Sequence, residues 1–150
     1  MPGRLRVPGD FTRPLSNESS LLVYGWRVGA WVPPDWPDAV RPPGSADFEA
    51  SAVTWLLGIL PPEFRKYGVL RRHPAALASL ARHYAGGYVE SARAGYRTAR
   101  RELAEQVPPH AVDELLRAYR TEGYRLVATS RGVALVEQAL RGEAFQPPFR

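Results

Sequence analysis

Between Pro74 and Val107 the chain repeats its apolar residues at a helical period, and any fold it adopts must bury one side of that helix. At about 100° per residue, Leu77, Ala81, Tyr84, Tyr88, Ala92, Gly95, Ala99 and Leu103 fall on one arc, with Val89, Tyr96 and Val107 at its edge. Arg82, Arg93, Arg97 and Arg100 occupy the opposite arc, flanked by Arg101 and His83, with Glu90 the one acid nearby. Pro74 suits a first helical turn, where a missing N–H costs nothing. Gly86, Gly87 and Gly95 each cost about 1 kcal/mol relative to alanine inside a helix. Packing must therefore hold this helix, or it bends at Gly86–Gly87.

A second such segment follows the break Val107-Pro108-Pro109-His110. Ala111–Gly142 reads as a long helix with Asp113 and Glu114 in its first turn. Its apolar face carries Val112, Leu115, Leu116, Tyr119, Leu126, Val127, Val133 and Ala134, with the small Gly123 and Ser130. So short a break folds the two helices into an antiparallel hairpin, roughly 45–50 Å long at 1.5 Å per residue. Gly95-Tyr96-Arg97 on the first helix matches Gly123-Tyr124-Arg125 on the second, a repeat too short to carry weight alone.

Upstream, Ser45 is placed to cap a helix running to Leu60, with Asp47 and Glu49 in its first turn. This segment is apolar almost all round, which predicts a central helix covered on several sides. Pro61-Pro62 ends it. The next residues, Pro62 to Pro74, form an elbow that concentrates Arg65, Lys66, Arg71, Arg72 and His73 beside Phe64 and Tyr67. A basic elbow leading into a helix N-terminus suits phosphate, although basic connectors are often merely solvated.

Residues 1–45 carry too many prolines for a helix of any length. Leu21–Val32 alternates like a half-buried strand, which would need a partner such as Arg4–Val7; the preferred alternative is an extended arm whose tryptophans plug a helical core. Trp26, Trp31 and Trp36 could stack bases, but such tryptophans more often anchor an arm. The expected architecture is mainly α: a helical bundle with a long antiparallel hairpin, a central apolar helix and a Pro/Trp-rich N-terminal arm. Residues 1–45 form the arm and 46–150 the helical domain of one unit. The short helix cannot cover the whole hairpin, so a homodimer is expected over its far end.

Several chemistries find no support in these residues. There is no cysteine, which excludes thiolate nucleophiles and cysteine-held metals. No serine elbow, Ser-x-x-Lys pair, Walker loop, Gly-x-Gly-x-x-Gly or His-Glu-x-x-His pattern occurs, and His110-x-x-Asp113-Glu114 reads as acids serving a helix dipole. No catalytic residue, metal or cofactor is expected. Glu122 and Glu137 stand near the apolar face of the second long helix, where a carboxylate would be a buried partner for an arginine of the first helix or of another subunit. Glu102 and Glu105 read as surface partners of Arg100 and Arg101. No apolar run approaches the roughly 18–20 residues of a membrane span and the N-terminus lacks a signal-peptide core, so the expectation is cytoplasmic.

The formal charge is +5, and all but Lys66 of the 20 basic residues are arginine, a fork suited to phosphate. Two functions follow. The first is nucleic-acid binding, DNA or RNA, with phosphates contacted by Arg65, Lys66, Arg71, Arg72, Arg82, Arg93, Arg97 and Arg100 and little sequence choice. The second is a helical interaction or scaffold protein whose arginine face keeps it soluble or meets an acidic protein.

Overall fold

A computed structural model describes residues 31–149. In order, the elements are α1 (Phe48–Ile59), a 3-10 turn (Pro62–Lys66), α2 (Gly68–Arg72), α3 (Pro74–Leu103) and α4 (Pro109–Leu140). The described residues contain no strand. Arg4–Val7 and most of the candidate strand Leu21–Val32 lie outside the described residues, as does Trp26.

The two long helices pack against each other as an antiparallel hairpin, 30 and 32 residues long, or about 45–48 Å at 1.5 Å per residue. Val107 N–H bonds back to the Leu103 carbonyl, closing α3 in a last turn, and Pro109 takes the first position of α4. Starting at Pro109, two residues earlier than Ala111, α4 carries Asp113 past its first turn. There the carboxylate faces across the hairpin and takes Arg100 at 3.1 Å instead of serving the helix dipole. At the other end Gly142 adopts φ +86°, and the N–H of Glu143 closes on the Gln138 carbonyl, so the helix stops where a glycine permits a left-handed residue.

The helix α3 runs unbroken through Gly86–Gly87. A Cβ built on either glycine meets nothing within 4 Å, so neither is required for close approach. Gly87→Ala is therefore expected to stabilise the protein by about 0.5–1 kcal/mol, through helix propensity and a less flexible unfolded chain. A denaturant midpoint unchanged from wild type would show that Gly87 has an unaccounted role. Gly95 differs: its Cβ would lie 2.5 Å from the Tyr119 ring, which rests directly on the glycine.

Ser45 does not cap α1. Its hydroxyl donates to the Pro42 carbonyl at 2.9 Å within a turn that Gly44 completes at φ +87°. The helix starts three residues later at Phe48. Ala52, Leu56, Leu57 and the following Leu60 are buried, but Ala50, Thr54 and Gly58 form an exposed stripe. α1 is thus a covering layer rather than a helix enclosed on several sides, because that stripe offers little apolar area to attract another element.

The main core lies where α1 crosses the first half of α3 and the last half of α4. Leu56, Leu77, Val133 and Val136 are fully buried there. Gly132 lets the Trp55 ring approach, with its ring edge 3.2 Å from the Cβ position. Trp36, which donates to the Val40 carbonyl at 2.8 Å, packs its ring near Phe48 and Phe145. That residue anchors the chain ahead of α1 to the helical core. Among the described residues, the far half of the hairpin has only a small cluster, Ala99, Val112 and Leu116, beneath Leu103, Val107 and Tyr119. Leu115, counted on the apolar face, is exposed.

Candidate nucleic-acid interface

The eight basic residues selected from the sequence are all exposed, but the fold divides them into two groups. Arg65 and Lys66 end the 3-10 turn, and Arg71 and Arg72 end α2. Phe64 fixes this elbow by packing edge-on against Tyr84 of α3, with centroids 5.4 Å apart. Leu70 adds a second apolar contact to the main core. The Lys66 ammonium stands 5.2 Å from the Tyr67 ring centroid. Among the described residues no carboxylate pairs with Arg65, Lys66, Arg71 or Arg72. Their charge is presented to solvent, and Glu63 of the same 3-10 turn pairs with none of them.

The arginines of α3 are more occupied. Arg82 donates from Nε to Glu137 Oε2 at 2.7 Å, and Arg141 donates to the other oxygen at 2.8 Å. Glu137 is the one buried charged residue among those described, and both of its oxygens are satisfied. It is the inter-helix partner that its position on an apolar face predicts. Glu122 is not: it is exposed and pairs within its own helix to Arg125 at 2.6 Å. Arg93 pairs with Glu90 at 2.6 Å and Arg100 with Asp113. Glu102 and Glu105 make no ion pair among the described residues, since Arg100 turns to α4. Arg97 is left without a carboxylate partner there.

Midway along the hairpin, a recess of about 380 Å³ opens between α3 and α4. The side chains of Ala92 and Gly123 are too small to fill the gap, and a Cβ on Gly123 would meet nothing. Tyr96, Tyr119 and Tyr124 wall it, and Arg93, Arg97 and Arg120 edge it. Arg120 donates to the Tyr96 hydroxyl at 2.8 Å, with its guanidinium 5.7 Å from that ring's centroid. That hydrogen bond holds the Arg120 guanidinium above its ordinary pKa, reinforcing a charge that is permanent in any case.

Arg120 and Tyr124 are functional candidates that periodicity does not single out. The two Gly-Tyr-Arg triplets are the available signal: on facing helices Gly95 seats the Tyr119 ring, Gly123 leaves space, and Tyr96, Arg97 and Tyr124 surround that space. Among the described residues, no three His, Asp or Glu side chains cluster as a metal site would require. Nor is any helix among them long and apolar enough to cross a membrane. Comparison with protein-family models, curated proteins and solved structures finds no match to this chain.

Proposed function

We propose that this protein binds nucleic acid by phosphate contact, the elbow residues Arg65, Lys66, Arg71 and Arg72 providing the principal surface and Arg97 extending it along α3. The observation that carries this reading is the elbow: four neighbouring cations, held by Phe64 and Leu70, with no carboxylate partner among the described residues. Such contacts give affinity without base recognition and a strong dependence on salt. Arg82, Arg93 and Arg100 contribute less, because each is already engaged with an acid.

Those same ion pairs favour a second reading, a helical interaction protein in which the arginines chiefly tie the hairpin together. A homodimer over the far half of the hairpin fits either reading. Leu115, exposed there, lies about half a turn around α4 from Tyr124 at 100° per residue, so such a contact need not cover the recess.

The two readings separate in a salt series with duplex DNA. Wild-type affinity should fall linearly in log salt. Neutralising Arg65, Lys66, Arg71 and Arg72 to glutamine should flatten the slope by roughly one unit for each of these cations that meets a phosphate. An unchanged slope in that variant removes the elbow from the interface.

A further inference from the structure

We propose that the recess between α3 and α4 receives an unstacked base of a single-stranded nucleic acid, with Tyr124 as the stacking face and Arg97 on the adjoining phosphate. The inference rests on the phosphate-binding reading above and adds the class of nucleic acid. Its first support is shape. A recess of about 380 Å³ falls in the range of roughly 300–1,000 Å³ typical of small-molecule pockets, and its floor is apolar, with Val89, Ala92 and Val127. A duplex keeps its bases stacked inside and meets such a feature only at the rim. A single strand can turn one base in.

Chemistry supplies the second support. Tyr124 is 73% exposed, and no aromatic ring among the described residues packs on it. An exposed aromatic face beside arginines is the combination used for stacking bases while neutralising their backbone. The Tyr96 ring is fixed by Arg120, so the opposite wall is already in place before a ligand arrives. Among the described residues no carboxylate lines the recess, and of its arginines only Arg93 has an acid partner there, Glu90. An acidic peptide would satisfy the arginines but leave the aromatic faces without a planar partner.

The test uses three labelled probes of equal length: a single-stranded oligonucleotide, the same strand with abasic sites, and a duplex. Each is titrated against wild type, Tyr124→Ala and Tyr124→Phe. The base-bearing strand should bind about ten-fold more tightly than the abasic one, a difference that Tyr124→Ala abolishes and Tyr124→Phe largely keeps. Tyr124 is exposed, so its removal leaves the fold intact, which circular dichroism verifies. Equal binding of base-bearing and abasic strands overturns the inference while leaving phosphate binding standing. Failure of all three probes to bind overturns both. A wild-type dimer that Tyr124→Ala dissociates assigns the recess to a second copy and also overturns the inference.

Discussion

Leu77→Ala is expected to destabilise the protein by about 3 kcal/mol, within the range of roughly 2–5 kcal/mol for a leucine removed from a packed core. Leu77 is fully buried at the crossing of α1, α3 and α4, in the same cluster as Leu56, Val133 and Val136. Neighbours on three helices cannot all collapse into the space left by its side chain, so a cavity term adds to the lost burial. For a chain of this length the melting temperature should fall by roughly 10 °C. Leu115→Ala is the control. It removes the same atoms from the same nominal apolar face of the hairpin, but from a side chain that is 36% exposed, and should cost less than about 1 kcal/mol. Equal losses in urea unfolding would mean that the far half of the hairpin is as well covered as the near half.

The second large effect is expected at Glu137, and it depends on which side of the ion pair is removed. Arg82 and Arg141 have side chains that are 46% and 56% exposed, whereas that of Glu137 is 10% exposed. Glu137→Gln leaves two arginines that water can hydrate, so its cost should be about 1 kcal/mol or less. Removing both arginines, as Arg82→Met with Arg141→Met, strands a carboxylate in the core. That double variant should lose about 2–3 kcal/mol, below the usual figure for a fully buried pair because Glu137 retains some access to water. Each single arginine variant should be mild, since the other still serves one oxygen. The losses are then strongly non-additive. Additive losses in a double-mutant cycle would show that the two arginines act independently of the shared carboxylate.

The hairpin was legible because its signals are local: a period of 3.6 residues, prolines at Pro108 and Pro109, and a glycine at Gly142. Glu137 was legible for a related reason, because a carboxylate on an apolar face must find a cation. Glu122 escapes that constraint, since among the described residues it stays exposed and takes Arg125 of its own helix. The start of α1 lies later than expected because Ser45 has two competing uses. As the residue after Pro42-Pro43-Gly44 it closes a turn, which aims its hydroxyl at the Pro42 carbonyl rather than at the first amides of α1. The recess was not legible from either helix alone. It arises from the register in which Gly95 meets Tyr119 and Tyr96 meets Arg120, set by the length of the hairpin turn, and from the small side chains at Gly123 and Ala92. Periodicity reports which residues are apolar, not which small ones face each other.

For the arginines, sequence and fold weigh charge differently. Helical spacing puts Arg82, Arg93, Arg97 and Arg100 on one arc, and that arc runs beside α4, whose Asp113 and Glu137 engage two of the four. Of the eight selected cations, five have no carboxylate partner among the described residues, and four of those five lie at the elbow, a segment too short to show a face of its own.

Phosphate and acidic protein are the two competing partners for this basic surface. The most direct measurement is side-by-side binding of wild-type protein to single-stranded DNA, duplex DNA, RNA and polyglutamate at low salt, repeated as salt is raised. A phosphate-binding surface should hold the nucleic acids more tightly than polyglutamate, with affinities falling linearly in log salt. No nucleic-acid binding even at low salt, or tighter binding of polyglutamate, would contradict phosphate binding and leave the helical interaction protein as the working description.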